Sequence, residues 1–298
     1  MKIYDCFMFF DETMLAEIRL NILNNYVDKF IITESKYAHN GDNKKLNFDI
    51  NLFSDFKKKI EYIVIDEQPP NILENNINDS HEEKEEKKII NSLKRENFQR
   101  DMLSLGLKGI NDNDLVIISD VDEIPNLEKI NFQENDNTIF IFKQKMFYYK
   151  FNLYYENFEW FGSRAIKKKF FLTPQWLRNI KSKKYPLWRV DTYFSKKKYH
   201  NIKFIENGGW HFTCIKSPKD VHKKLTSYLH HQDFENSNIK LIDIEKKIQA
   251  GEVLYDHNHD KTDDKRWFSK KLLLKVNSSY LPKYLDKNQN KFKQWFEK

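Results

Sequence analysis

Five apolar runs, Lys2 to Phe10, Lys29 to Thr33, Ile60 to Ile65, Leu115 to Ser119 and Thr138 to Phe142, recur through the first half of the chain. Most of the gaps between them are helix-length. Strands so separated pair through crossovers and not through tight hairpins, which predicts an α/β protein with a mostly parallel sheet flanked by helices. In the first gap, "ETMLAEIRLNILNNYV" sets Leu15, Ile18, Ile22 and Val27 near helical spacing and leaves Arg19 and Glu12 on other faces. Parallel order collects the connecting loops at the carboxyl ends of the strands, where chemistry is expected.

With 298 residues, 40% of them hydrophobic, the chain can bury a sizeable core. No internal repeat or interdomain linker stands out, so residues 1–298 read as a single domain, with a less regular C-terminal third from about residue 235. The stretch 71–88, "NILENNINDSHEEKEEKK", is almost wholly polar and reads as an insert or the front of a helix that continues as "IINSLKRENFQRDMLSLGL". In "SPKDVHKKLTSYLHH", Ser217 is placed to cap a further helix and Pro218 to open it. A net charge of +7 favours anionic partners only weakly, and scattered lysines with aromatics in apolar runs argue against nucleic acid. Cys6 and Cys214 sit far apart in apolar surroundings, which predicts buried reduced thiols. The N-terminus reads as a strand and not a signal peptide, and no run approaches the ~20 apolar residues of a membrane span. A soluble, cytoplasmic-type protein is expected, with peripheral membrane contact left open.

The densest chemistry lies in "LVIISDVDEIPN", where a greasy strand runs into three acidic positions out of four. In extended backbone Asp120 and Asp122 point the same way, and together they would hold one Mn2+ or Mg2+ ion completed by a diphosphate. The plainer reading has these acids capping a turn. Arg95 and Arg100 in "RENFQR" are either solvated helix arginines or cationic site groups. His211 in "ENGGWHFT" is either a structural strand histidine or a ligand, beside Gly208 and Gly209, which permit close backbone approach. The aromatic stretch Phe147 to Phe161 reads as core or as a sugar-acceptor groove, with Trp160 and nearby Arg164 the candidates for acceptor binding.

Four ordered blocks, "EIRLNILNNYVDKFIITESKYAHNGDNKKLNF", "RENFQRDMLSLGL", "DLVIISDVDEIP" and "GGWHFT", resemble glycosyltransferase family 17, which includes the β-1,4-mannosyl-glycoprotein N-acetylglucosaminyltransferases. "LPKYLDKNQNKFKQW" is a weaker echo of that family's C-terminus. The resemblance implies a GT-A-like fold, a UDP-sugar donor (GlcNAc), a divalent metal and a glycan acceptor, with inversion at the anomeric carbon. It places Asp120 and Asp122 in the acidic motif, Glu123 just after it, and Glu34 at a strand end suited to the nucleotide. Arg95, Arg100 and His211 match as well. The membrane anchor of the eukaryotic members has no counterpart here. For the general base Glu123, Asp220, Asp233 and His211 remain candidates, with a metal role for His211 ranked ahead. Two rivals stay open: a haloacid dehalogenase-like phosphatase, whose DxDx(T/V) motif is incomplete in "DVDEI", and a non-catalytic sugar-binding protein on a transferase scaffold.

Overall fold

The structure, a computed structural model, describes residues 1–128, 130–132, 137–227, 234, 237–259 and 264–298. Strands β1 (Ile3–Met8), β2 (Lys29–Ser35), β3 (Ile60–Ile65) and β4 (Leu115–Asp120) form a parallel group in the order β3-β2-β1-β4. Four predicted runs fall on them. Their near-continuous apolar character has a plain cause, because the group is covered on both faces. Phe7, Phe30, Ile32, Leu115 and Ile117 point into one core, while Cys6, Ile31, Val116 and Ile118 point into the other. Helix α1 (Thr13–Leu23) lays Leu15, Ile18, Leu20 and Leu23 on the first core, joined there by Leu285 and Phe292 from the C-terminal segment.

The polar stretch 71–88 resolves into two parts. Ser80 and Glu83 form a reciprocal capping box that starts helix α2 (His81–Asp101). Residues just before it are tied back to the helix by Asn91, whose amide bonds the N–H and the carbonyl of Leu73 at 2.8 Å each. The buried positions of α2 are Asn91, Ser92, Gln99 and Arg100, so this helix docks through hydrogen bonds more than through grease. Gln99 donates to the carbonyl of Thr33 at 3.2 Å, fixing α2 against the end of β2.

The rest of the sheet is built by β5 (Glu123–Pro125), β6 (Ile139–Tyr148), β7 (Leu153–Lys167), β8 (Ile202–Ile205), β9 (Gly209–Thr213) and β10 (Leu274–Lys275). The ten strands form one mixed sheet, five pairings parallel and four antiparallel, with the main order β3-β2-β1-β4-β7-β6-β9-β5. The position of β5 forces its shape. Only Val121 and Asp122 separate β5 from β4, yet β5 pairs with β9 at the far end of the order. A two-residue link cannot reach across three intervening strands, so the sheet curls until its β9-β5 end lies beside the end of β4.

Helix α3 (Pro174–Asn179) is capped by Thr173, whose hydroxyl accepts from the Trp176 N–H at 3.1 Å. Helix α4 (Pro218–Ser227) starts as predicted, with the Ser217 hydroxyl accepting from the Asp220 N–H at 3.2 Å. Val221 from α4 and Ile244 from α5 (Leu241–Ala250) join Met146, Tyr148 and Tyr155 in a third apolar cluster. Most of the aromatic stretch 147–161 is therefore core. Cys6 and Cys214 are buried free thiols. Among the described residues no helix is long and apolar enough to cross a membrane.

Candidate functional site

A cleft of 350 Å³ opens at the carboxyl ends of β1 and β4. Met8, Phe9 and Phe10 follow β1, and Asp120 to Asp122 leave β4. Arg100 contributes from α2, His211 from β9, and Lys224 from α4. Trp160 and the segment around Asp256, His257 and His259 form the opposite wall.

The crowded carboxylates are answered first by arginines and a lysine. Asp120 meets Arg178 Nη2 at 2.7 Å and Arg100 Nη2 at 3.2 Å. Burial opposes its charge, but Arg178 and Arg100 outweigh burial and hold the carboxyl below the usual aspartate range. Asp122 Oδ2 lies 3.4 Å from Lys224 Nζ and 3.6 Å from His211 Nε2. Here too burial is outweighed, by Lys224 and His211, and the carboxyl is held low. Burial works against the Lys224 ammonium, and Asp122 reverses this and raises its pKa. Both aspartates line the cleft, though not from the extended backbone that the sequence suggests. Strand β4 ends at Asp120, residues 121 and 122 form a turn, and the two carboxylates address different cations.

Glu123 is fully buried and its carboxylate is saturated. One oxygen accepts from Trp160 Nε1 and from Arg178 Nη2, both at 2.6 Å; the other accepts from the Asp120 N–H at 3.0 Å and Arg178 Nη1 at 2.7 Å. Four donors fill the four lone-pair positions of a carboxylate. The turn between Asp120 and Glu123 is held from beneath by Arg19, buried in α1. Its guanidinium forks onto Asp5 of β1 at 2.7 and 2.6 Å, and its remaining arm bonds the carbonyls of Asp120 and Glu123.

His211 reaches Asp122 because of the glycines before it. Antiparallel pairing sets Gly209 opposite Pro125 and His211 opposite Glu123. At Gly209 φ is +128°, and a Cβ would stand 2.1 Å from the Ile124 carbonyl oxygen. Only glycine lets β9 approach β5 so closely. Among the described residues His211 Nδ1 is buried without a hydrogen-bond partner, and the Trp160 ring packs on the imidazole at 4.7 Å.

The other sequence candidates divide. Arg100 and Trp160 line the cleft. Glu34 does not; it is buried, and it organises the loop after β2 by accepting from the N–H groups of Asn47 and Phe48, the Tyr62 hydroxyl and Lys44. Arg95 does not line the cleft either; it bonds Gln68 and the carbonyl of His39, and so backs a residue that does. Arg164 is buried, bonding the Gly162 carbonyl at 3.3 Å and the Ser182 hydroxyl at 3.2 Å. Burial brings its pKa down to about 9, with Arg178 adding to the effect. Asp220 is exposed and bonds the Ser217 hydroxyl at the start of α4. Asp233 lies outside the described residues.

Sequence reading missed Arg178, Arg19, Lys224, Asp256 and His259. Lys224 left a signal, since it shares a helical stripe with Val221 and Leu225, where a lysine is out of place unless it meets a buried charge. Arg178 left only the Thr173-Pro174 cap of its short helix, and its carboxylate partners lie 55 and 58 residues upstream.

As a cation site, Asp122 and His211 offer one oxygen and one nitrogen toward a common space. Among the described residues no group of three or more His, Cys, Asp or Glu is arranged as a metal site. The donor set therefore does not fit a closed, protein-only cage, but it fits a hard divalent ion whose remaining ligands come from a phosphate-bearing substrate.

A curled α/β sheet with an acidic, cation-lined cleft at the carboxyl ends of parallel strands defines an enzyme-like site for a polar substrate. The chain belongs to glycosyltransferase family 17, a family of N-acetylglucosaminyltransferases, whose model matches residues 1–296. The protein is thus a glycosyltransferase, an enzyme acting on a sugar donor and an acceptor. Comparison with curated proteins found no match.

Proposed function

We propose that the enzyme transfers N-acetylglucosamine from its UDP donor to a glycan hydroxyl, with inversion, on a GT-A-like fold and with Mn2+ or Mg2+ held by Asp122 and His211. The observation that carries this reading is the meeting of Asp122 and His211 across β5 and β9, inside the cleft of a family 17 chain. Bound there, the ion would neutralise charge on the departing diphosphate. Family membership sets aside the phosphatase alternative.

The chain's own residues supply the rest. Asp120, with its outer face open to the cleft, is placed to accept from a donor hydroxyl while Arg100 and Arg178 fix its orientation. Arg100 and Lys224 add positive charge where a diphosphate would lie. The Trp160 indole, pinned by Glu123, presents an apolar surface to a sugar ring.

For the base, Glu123 is an organiser in this reading because no lone pair is left to take a proton. Asp256 lines the cleft, and burial opposes its charge, but hydrogen bonds from the Tyr155 hydroxyl and the Asn258 N–H hold its carboxyl low, which makes it a weak base. His259 Nε2 stands 4.0 Å from Asp256 Oδ2. We assign His259 as the group that takes the acceptor proton, with Asp256 orienting it. Titration of UDP-GlcNAc with Mn2+ by calorimetry, and a donor-hydrolysis screen across UDP-sugars, test the reading. Absence of binding for every UDP-sugar in the presence of Mn2+ would overturn it.

A further inference from the structure

Residues 181–200, "KSKKYPLWRVDTYFSKKKYH", leave α3 and return to β8 as a loop turned inside out. Its neck is closed by the Lys181 N–H donating to the Lys197 carbonyl at 3.0 Å. Inside the loop lie polar groups: Thr192 is buried, its hydroxyl bonded to the Arg189 carbonyl and to His200 Nε2. The Tyr193 ring stacks on His200 at 4.4 Å. Outside lie Leu187, Trp188, Val190 and Phe194, with Trp188 76% and Phe194 86% exposed. An ordered loop that buries a threonine and exposes a tryptophan and a phenylalanine has its apolar surface arranged for something other than its own core.

Charge indicates what that is. The segment holds six lysines and one arginine against a single aspartate, a net +6 of the chain's +7. Asp191 is itself held by Arg189 and Lys198, both at 2.7 Å. Lys181, Lys183, Lys184, Lys196 and Lys197 are exposed around the apolar tip. The lysines elsewhere are nearly balanced by carboxylates, so most of the chain's excess positive charge sits in this one loop.

We infer that this loop docks the protein on an anionic lipid surface. Aromatic side chains settle at the headgroup boundary while lysines around them meet the negative surface potential, and the two contributions add. The contact is peripheral, since none of the described helices can span a bilayer. The loop is also mechanically joined to the site. Trp176 of α3 donates its indole N–H to the Lys196 carbonyl at 3.0 Å, and Ser182 receives Arg164. Docking would therefore fix how α3, and the Arg178 it carries, are presented relative to the surface.

The test is cosedimentation of the full chain with vesicles of phosphatidylcholine containing phosphatidylglycerol, against pure phosphatidylcholine vesicles. Binding is expected to the anionic vesicles and to weaken with added salt. The Trp188→Ser/Phe194→Ser and Lys196→Gln/Lys197→Gln pairs should each weaken partitioning by on the order of tenfold. Both should keep the wild-type melting temperature and the wild-type donor hydrolysis in solution. Trp188→Phe should lose the blue shift of tryptophan emission that vesicles induce. No partitioning into anionic vesicles, or partitioning that neither pair weakens, overturns the inference. So does retention on an oligonucleotide, or self-association abolished by Trp188→Ser, in the absence of vesicle binding.

Discussion

At Glu123 a buried carboxylate receives four hydrogen bonds, two of them from Arg178, which also reaches Asp120. Burial opposes the guanidinium charge, and Asp120 and Glu123 reverse this and keep Arg178 more firmly protonated than a free arginine. Removing the cation leaves Glu123 charged and uncompensated. Arg178→Met should lower unfolding free energy by roughly 3–5 kcal/mol in urea titrations, and Arg178→Lys should restore little of it because an ammonium cannot reproduce the fork. Asp122 has a different position, at the edge of the cleft and facing Lys224 and His211. Asp122→Asn should abolish Mn2+ binding followed by electron paramagnetic resonance, with the melting temperature changed by only a few degrees. Retained Mn2+ affinity in this variant would remove Asp122 from the cation site. His259→Ala should reduce kcat by roughly 10²–10⁴ while leaving the donor's affinity intact, separating a proton-transfer role from a binding role.

At the scale of elements, the site depends on a short strand held in place by a glycine. Strand β5 has three residues and its partner is β9, so the approach of Gly209 to Ile124 decides whether His211 reaches Asp122. Gly209→Ala meets both a positive φ and a backbone oxygen at 2.1 Å. It should cost about 1–3 kcal/mol in stability and also weaken Mn2+ binding, although residue 209 touches no ligand. Wild-type Mn2+ affinity in a folded Gly209→Ala protein would show that β5 and β9 need not be in register. The "GG" was legible in sequence as a place of close approach. That the approach brings β9 onto a three-residue strand was not, because so short a strand has no periodicity to read.

At the scale of the molecule, the C-terminal third closes the cleft. Asp256 accepts from Tyr155 of β7 and from Ser269, tying the last segment to the sheet. Its pKa lies below the aspartate value of 3.8 in the fold. The unfolded chain therefore binds this proton first as pH falls, so the contribution of Asp256 is complete above about pH 5 and is lost as pH drops through 4 and below. The gap in urea midpoint between the wild type and Asp256→Asn should be constant from neutrality to about pH 5 and narrow beneath it as the wild type loses this contribution.

What the sequence determined by itself is local and periodic. Runs such as "LVIIS" and "KFIIT" specify strands buried on two faces, "SPKD" specifies a capped helix start, and the ordered motifs specify the family, because each rests on neighbours within a few residues. What the tertiary structure decided is which charges meet. Glu34, Arg95 and Arg164 carry the right chemistry for a site, yet they are spent on loops and backbone carbonyls. Arg178 and Asp256, unremarkable in sequence, and Lys224, marked only by the apolar stripe it shares, stand at or beside the cleft. The reason is physical: backbone pattern is set by short-range sterics and burial, whereas a buried charge takes whichever counter-charge the curl of the sheet brings within about 4 Å, regardless of the residues between.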